Sequence, residues 1–472
     1  MPSNVNAPFN LKELSIQYDG KLLLRKEILL DEPVFQQLLS SNYLTERKSI
    51  IRKNLKFQCQ RCGNQTAYLF AKIPCQLCHH THVYCRKCIE MGRVSECEML
   101  YYWTGPTPKW LRHAHPCSWQ GQLTSVQRQA AERIVAAIRN KESELLVWAV
   151  CGAGKTEMLF LGITEALQHG KRICLATPRA DVVRELLPRL QKAFSTVSIQ
   201  ALHGGSGDKH GTAQLMLATT HQLLRYQNAF DVIIIDEIDA FPYHADPSLP
   251  FASNRAKKAE STTIYLTATP RKQQKELIRR KKLSHIFVPI RFHGQPLPVP
   301  KKILSHGLKR DLHNHLPPAA FLKWVNVRKN PNRQLLIFVP SILLAEKIKP
   351  VLAIKLKKAG VLKSKEKLQS VHASDPDRES KVQAFRERDT FILITTTILE
   401  RGVTFPSVDV AIFDAGHDVF DEAALVQIAG RAGRSPNDPT GEVLFFHNGK
   451  TEAMVQAIDS IKSMNKRGGF SK

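Results

Sequence analysis

No stretch of this 472-residue chain approaches the roughly 18 consecutive apolar residues that a membrane-crossing helix requires, so no spanning helix is expected. The opening MPSNVNAPFNLKEL lacks the basic-then-apolar pattern of a secretory leader, which sets the cytoplasm as the expected location. Acidic side chains are scarce: 42 Asp and Glu face 68 Lys and Arg, a formal charge of +26 and a pI near 9.7. Such an excess points to a polyanionic partner through counterion release from phosphates, against the blander readings of a basic soluble surface or attraction to anionic lipid. The clusters at 271–282, 347–367 and 462–472 are each ordinary solvated helix faces, and their weight lies in the sum. The rest of the composition, 43% hydrophobic and 23% charged, is that of a soluble globular protein with length for about three domains.

Six of the ten cysteines fall between Cys59 and Cys88, and in the expected reducing cytoplasm they read as zinc ligands ahead of the alternative of disulfides. They form three CxxC pairs, Cys59/Cys62, Cys75/Cys78 and Cys85/Cys88, whose thiolates on tight turns suit zinc. One tetrahedral site takes two pairs. Cys59/Cys62, followed by Gly63, belongs to any scheme. Cys85/Cys88 suits the second knuckle, while Cys75/Cys78, with His79, His80 and His82 behind it, replaces that knuckle or helps build a second site. A zinc ribbon would give folding energy to a segment too short for its own core. Arg93, Tyr101, Tyr102, Trp103, Lys109, Trp110 and Arg112 follow it and are either base-stacking or packing residues. Cys97, Cys117, Cys151 and Cys174 lack any such spacing and read as small apolar residues.

The apolar run LLVWAV (145–150) ends in AVCGAGKT (149–156), the strand, glycine-rich loop and helix of a phosphate-binding loop. Gly152, Ala153 and Gly154 carry no bulk, so backbone N–H groups can wrap phosphates, with Lys155 as point charge and Thr156 as an oxygen ligand for Mg²⁺. The first glycine of the generic pattern is missing, and Ala149 holds its place, as in the AxxGxGKT form of helicase-type ATPases. An acidic partner follows in DVIIIDEID (231–239). Its β-branched centre is expected of a strand buried on both faces, placing Asp236 to hold Mg²⁺ and Glu237 to polarise the attacking water.

Short apolar runs alternate with amphipathic ones from about residue 123 to 300: RICLAT (172–177), QLMLATT (214–220), DVIIIDE (231–237) and TTIYLTAT (262–269). The alternation predicts a doubly wound parallel sheet with its ligand edge at the strand ends. Residues 291–333 read as a connector with an entry helix. The pattern then restarts with QLLIFVP (334–340), LQSVHAS (368–374), FILITTT (391–397), VDVAIFDAG (408–416) and GEVLFFH (441–447), a second sheet lacking a phosphate loop of its own. QIAGRAGR (427–434) suits that second domain acting on a nucleotide held by the first. Arg431 and Arg434, three apart on one helix face, would reach the transferring phosphoryl group, and Gly430 and Gly433 would admit a close backbone approach.

Together these residues resemble the superfamily 2 helicases. AVCGAGKT is similar to motif I, TPRADVVREL (177–186) to motif Ia, TTHQLLR (219–225) to a strand-contacting motif, DEID (236–239) to motif II and TATP (267–270) to motif III. TTTILERGVTFPSVD (395–409) is similar to motif V and QIAGRAGR to motif VI. The resemblance implies an α/β fold of two RecA-like domains behind a four-cysteine zinc module, with bounds 1–55, 56–118, 119–300 and 301–472. It implies Gln127 as the adenine-reading glutamine, Gly402 and Ala149 at the nucleotide, and Gln427 in catalysis.

Within that superfamily AVCGAGKTEM, LATPRADVVREL, DEIDAFPY, CQRCG and YCRKCIEMGRV resemble the ComFA late competence proteins. That resemblance implies an ATP-driven translocase on single-stranded DNA that brings in transforming DNA, using ATP, Mg²⁺ and Zn²⁺. It implies ComFC, DprA and the ComEC channel as partners, with peripheral membrane attachment and self-assembly as open options. A PriA-like replication-restart helicase is the alternative, and there the cysteines interrupt the C-terminal half rather than precede the phosphate loop. DEID and the leading Gln427 separate the chain from DEAD-box RNA helicases.

Overall fold

Each apolar run identified above becomes a strand in the computed structural model. It describes residues 10–470 apart from 55, 77, 208–209, 363 and 403. Val403 of the motif V stretch, Lys363 and the last two residues of the basic clusters, and the first nine residues of the N-terminal segment lie outside the described residues. Two compact units divide the chain: one takes residues up to Val147 and Thr156–Ile286, the other Trp148–Lys155 and Phe287–Lys472.

In the first unit the strands Ile199–Leu202, Leu215–Thr219, Ile173–Thr177, Phe230–Ile235 and Lys257–Thr267 lie side by side in that order, all parallel. The sheet order continues through Glu144–Ala149 and Ser284–Val288. Leu215–Thr219 and Ile173–Thr177 are buried at every position, as expected of strands covered on both faces. Parallel pairing aligns their carboxyl ends, so Thr177 lies beside Thr219 and Ala176 beside Ile235, one residue before Asp236.

The second unit holds six parallel strands in the order Lys301–Leu304, Val443–His447, Val408–Phe413, Gln334–Phe338, Ile392–Thr395 and Leu368–Val371. Its core centres on Phe321, Phe413 and Phe446, whose rings meet edge to face at 4.9–5.9 Å. Asp409 is buried under the sheet end, held by Arg328 at 3.3 Å, Arg333 at 3.4 Å and the Glu442 N–H at 2.8 Å. Burial outweighs the two guanidiniums and pushes its carboxyl above the usual range. The connector expected over 291–333 contains an edge strand, Lys301–Leu304, as well as helices at Leu308–His313 and Ala319–Asn326. That strand is short and mostly exposed, so it has no apolar run to announce it.

The expected division at residue 55/56 runs through one folding unit. Met99–Trp103, from beyond the cysteine pairs, is the central strand between Leu22–Leu24 and Leu44–Lys48, pairing antiparallel with both. Tyr18, Leu23, Phe35, Leu38, Leu44 and Trp103 form its core. The aromatics in question therefore pack: Tyr101 meets Phe35 edge-on at 5.0 Å, Trp103 stacks on Tyr43, and the Trp103 indole donates to the Pro106 carbonyl at 3.0 Å.

This N-terminal module is bound to the first sheet by buried charge. Arg255 donates to the carbonyls of Gln60 and Arg61 on one side and of Leu224 and Tyr226 on the other. Arg61, fully buried, pairs with Glu27 at 2.7 Å, and Arg225 reaches the same carboxylate at 3.0 Å. Burial by itself would raise the Glu27 carboxyl, but the Arg61 charge and hydrogen bond, the Leu24 N–H and the Arg225 charge together hold it below the usual range. A charge-assisted contact of this kind contributes about 1.5–3 kcal/mol, and Glu27→Gln should lower urea stability by that order. Because the folded carboxyl is depressed, the advantage of wild type is complete above the ordinary pKa of about 4.3 and shrinks as pH falls through the folded value. Unfolding curves of both proteins between neutral and acid pH check it, and a difference that grows toward acid pH contradicts the assignment.

Candidate nucleotide site and cysteine cluster

The phosphate loop begins where the strand Glu144–Ala149 ends, and the helix Lys155–Gln168 takes over at Lys155, with Thr156 second in its first turn. Ala149 is buried, and it lies outside the left-handed region, so nothing there demands glycine. Gly152 and Gly154 do need it, at φ +80° and +73°. Ala153 between them closes a turn, donating to the Val150 carbonyl at 3.1 Å. The loop packs with the second unit: Val150 N–H donates to Val288 O at 3.0 Å, and Gly152 O accepts from Phe292 N–H at 2.9 Å.

QIAGRAGR lies in that same unit. The helix Glu422–Ala429, capped by Asp421, ends at Gly430, so Arg431 and Arg434 sit on the turn beyond it and share no helix face. This corrects the expectation from spacing: beyond Gly430 the Arg431 and Ala432 N–H groups donate to carbonyls three residues back, and Gly433, at φ +64°, then carries the chain out of the helical path. Arg431 is buried and donates from Nε to the Glu400 carbonyl at 3.1 Å, tying the turn to the 395–409 segment. Arg434 is partly exposed, its Nε on the Gly430 carbonyl at 2.9 Å. In that segment Gly402 adopts φ +72°. Gln427 is buried, and its Oε1 accepts from the Cys151 thiol of the phosphate loop at 3.0 Å, while its Nε2 has no partner among the described residues.

Both glycines have a steric reason. A Cβ on Gly430 would lie 2.5 Å from the Cys151 Cβ, and one on Gly433 would lie 2.3 Å from the Pro439 carbonyl oxygen. Arg291 completes the arrangement. Its guanidinium donates to Ala432 O at 2.8 Å and to Gly433 O, with His293 Nε2 3.1 Å from the latter. Burial, with the Arg434 charge second, lowers the Arg291 pKa to about 10, so it stays charged at neutral pH. Sequence reasoning had placed Arg291 and His293 in a connector. No motif marks them.

In the first unit Asp236 follows the strand Phe230–Ile235, its N–H on the Ala176 carbonyl at 2.8 Å. Glu237 takes the left-handed conformation, φ +54°, uncommon for a non-glycine residue and a mark of a constrained site. Asp239 is fully buried, accepting from Thr267 Oγ1 at 2.6 Å and from the Thr269 hydroxyl, while Arg271 donates to its carbonyl at 2.8 Å. DEID and TATP are thereby one hydrogen-bonded assembly. Gln127 closes a capping box with Thr124, its Oε1 accepting the Thr124 N–H at 2.8 Å, so its carbonyl also serves the helix Ser125–Arg139. In TTHQLLR, Thr220, Leu223 and Leu224 are buried and Arg225 is engaged by Glu27 and Gln222, an anchorage for the N-terminal module.

Four of the six cysteines converge. The sulfurs of Cys59, Cys62, Cys85 and Cys88 lie within 4.8 Å of one another, all buried, with Cys59–Cys88 at 3.8 Å and Cys62–Cys85 at 3.5 Å. A tetrahedral ion at about 2.3 Å from each sulfur requires separations of about 3.8 Å. Mutual hydrogen bonding holds the Cys59 and Cys85 thiols below their usual range and pushes Cys62 and Cys88 above it. Buried thiols so crowded cannot all ionise without a cation, which is the donor chemistry of a structural zinc site. Cys75 and Cys78 stand outside this cluster. Cys97, expected to be an ordinary apolar residue, is exposed, with its sulfur 3.8 Å from that of Cys75. Cys174 does behave as a core residue, its thiol raised to about 12 by burial.

Residues 9–102 match the Competence protein ComFA N-terminal domain, residues 120–272 the Type III restriction enzyme, res subunit, and residues 318–436 the Helicase conserved C-terminal domain. Competence protein ComFA of Bacillus subtilis (strain 168) is 43% identical over 99% of this chain and 98% of its own length. That of Streptococcus pneumoniae (strain ATCC BAA-255 / R6) is 37% identical over 97% of this chain and 100% of its own. This chain belongs to the ComFA family of competence proteins.

Among solved structures, S. cerevisiae Dbp5 bound to RNA and ADP BeF3 shares the fold at TM-score 0.51 and 17% identity, covering 74% of this chain and 89% of that one. Mycobacterium smegmatis Lhr bound to ssDNA and AMP-PNP does so at 0.51 and 16%, covering 74% and 50%. The two parallel sheets are thus RecA-like helicase domains behind a four-cysteine module. Membership and domains make the chain an ATP-hydrolysing, helicase-type enzyme of competence, for which ATP, Mg²⁺ and nucleic acid are implied. No described helix is long and apolar enough to cross a membrane. In the second ComFA domain an open cleft lies at the carboxyl ends of the strands, lined by Lys309, His313, His315, Asp414, Lys450 and Thr451. Helix-terminal and loop residues supply those cations, so no contiguous motif revealed them.

Gly430→Ala tests the close approach. Forcing a methyl against Cys151 should cost about 1–3 kcal/mol, and Cys151→Gly in the same chain should recover most of it. A double-mutant cycle by thermal unfolding measures the coupling, and additive effects contradict the contact.

Proposed function

We propose that this chain is a single-stranded-DNA-stimulated translocase that uses ATP hydrolysis to draw in transforming DNA. The observation that carries the reading is the 43% identity to a competence protein along 99% of the chain, which itself carries AVCGAGKT, DEID and QIAGRAGR. Lys155 and the backbone N–H groups of Gly152, Ala153 and Gly154 take the phosphates. Thr156 and Asp236 are the residues to hold Mg²⁺, which supplies charge neutralisation at the phosphates when bound. Glu237, with its constrained backbone, orients the attacking water. Arg434 and Arg431 stabilise charge on the transferring group, Arg431 also fixing the turn through the Glu400 carbonyl. Gln127, Ala149, Gly402 and Gln427 are the further residues assigned to nucleotide binding and sensing. Zinc at Cys59, Cys62, Cys85 and Cys88 holds the N-terminal module folded. The basic excess supplies phosphate contacts along the strand. Family resemblance extends the reading to ComFC, DprA and ComEC as partners at the inner face of the membrane.

ATP turnover of the full chain, measured with single-stranded DNA, duplex DNA and RNA, tests this reading. Single-stranded DNA should stimulate most, and Lys155→Ala should abolish turnover while retaining DNA binding. Equal stimulation by RNA, or normal turnover in Lys155→Ala, overturns it.

A further inference from the structure

The turn carrying Cys75 and Cys78 repeats the turn carrying Cys59 and Cys62. In the first, Cys59 N–H donates to Asn64 O at 3.0 Å, Cys59 O accepts from Gly63 N–H at 2.9 Å, and Gly63 is left-handed at φ +72°. In the second, Cys75 N–H donates to His80 O at 2.9 Å, Cys75 O accepts from His79 N–H at 3.0 Å, and His79 is left-handed at φ +58°. Both hydrogen bonds and the left-handed residue recur at the same offsets from the first cysteine. Glycine adopts that conformation freely, whereas histidine gives up about 1–2 kcal/mol to do so. The second turn is therefore shaped as a metal knuckle in spite of its sequence.

Two further donors lie beside it, so that the four stand as two pairs: among the described residues no three of their donor atoms lie within 4.8 Å of one another, and zinc would draw the pairs together. The strand Thr81–Cys85 pairs with Phe70–Pro74 on one side and Val94–Ser95 on the other, and Glu96 N–H extends the latter pairing to Val83 O at 2.8 Å. This places His82 and Cys97 beside the turn. His82 Nε2 lies 2.9 Å from Cys78 Sγ, and Cys97 Sγ lies 3.8 Å from Cys75 Sγ, the same sulfur separation as Cys59–Cys88. His80 is occupied otherwise, its Nδ1 2.6 Å from the Cys78 carbonyl. Three thiols and one imidazole are a recurrent tetrahedral zinc set. Cys78 and Cys97 are exposed, so this set faces solvent where the four-cysteine cluster is buried.

We propose that Cys75, Cys78, His82 and Cys97 form a second zinc site, so that the chain binds two zinc ions. The first joins the knuckle at Cys59 to that at Cys85. The second closes the exposed tip of the module, linking the 70–85 hairpin to the segment after Ser95. Both sites release protons from their thiols on loading, and no redox change is involved.

Metal analysis of the full chain, purified in reductant with zinc supplied, should find about two zinc ions per chain. Cys75→Ser and Cys97→Ser should each bring that to about one, with the four-cysteine site still loaded. Wild type should also resist iodoacetamide at Cys78 and Cys97, with labelling accelerating at least about tenfold after chelation, since free exposed thiols react readily. One zinc in wild type, two retained in Cys75→Ser, or Cys78 and Cys97 labelled before chelation each overturns the site. So does a Cys75–Cys97 disulfide in protein kept reduced.

Discussion

One buried guanidinium holds the QIAGRAGR turn to the segment that packs on the phosphate loop. Arg291 is 1% exposed, and a cation so placed must find acceptors or forfeit its hydration. It finds the carbonyls of Ala432 and Gly433, which the QIAGRAGR turn can offer only because the helix has ended and Gly433 has turned left-handed. The next residue, Phe292, donates to Gly152. A single segment thereby holds the arginine-bearing turn and the phosphate loop in one packed body, with Gly430 against Cys151 as the closest approach. Displacing the QIAGRAGR turn strips Arg291 of both acceptors, and displacing the phosphate loop strips Phe292 of its own.

A second buried charge assembly does comparable work for the N-terminal module. A small antiparallel sheet with cysteine knuckles has little apolar area to dock on a large domain. Glu27 instead takes two arginines, Arg61 from the knuckle and Arg225 from the helicase domain, and Arg255 donates to carbonyls on both sides. Such contacts are directional. They define one orientation, where an apolar patch of the same size would tolerate several. Arg61 lies between Cys59 and Cys62, so a collapsed knuckle would take one of its two arginines from Glu27 and two of its four carbonyls from Arg255.

Much of this was legible in the order of residues. Strands covered on both faces announce themselves as apolar runs, and the ten runs of that kind became strands. The glycines of the phosphate loop were legible too, since bulk is excluded wherever backbone must wrap a ligand. What escaped were features without periodicity. Lys301–Leu304 is an edge strand whose exposed lysines conceal it. Arg431 and Arg434 at i and i+3 suggested a common helix face, but the helix ends at Gly430 before either of them. Tyr101 and Trp103 stood among basic residues like a stacking platform, but pairing of their strand with residues 22–24 and 44–48 turned them into core.

By itself the sequence determined the chemistry on offer: a phosphate loop, an acidic strand end, an arginine-rich turn, thiols in pairs and a strongly cationic surface. These are local properties, set by residue type and spacing of a few positions. Only the tertiary structure decided which thiols meet, because Cys59/Cys62 stand at the end of a two-stranded hairpin and Cys85/Cys88 at the end of a strand in a separate three-stranded sheet that packs beside it, and Cys97 is carried to Cys75 by that second sheet. It also decided that Arg291, unremarkable in a proline-rich stretch, becomes the anchor of the nucleotide loops. Burial gives a charged group its importance, and burial is a property of the folded chain.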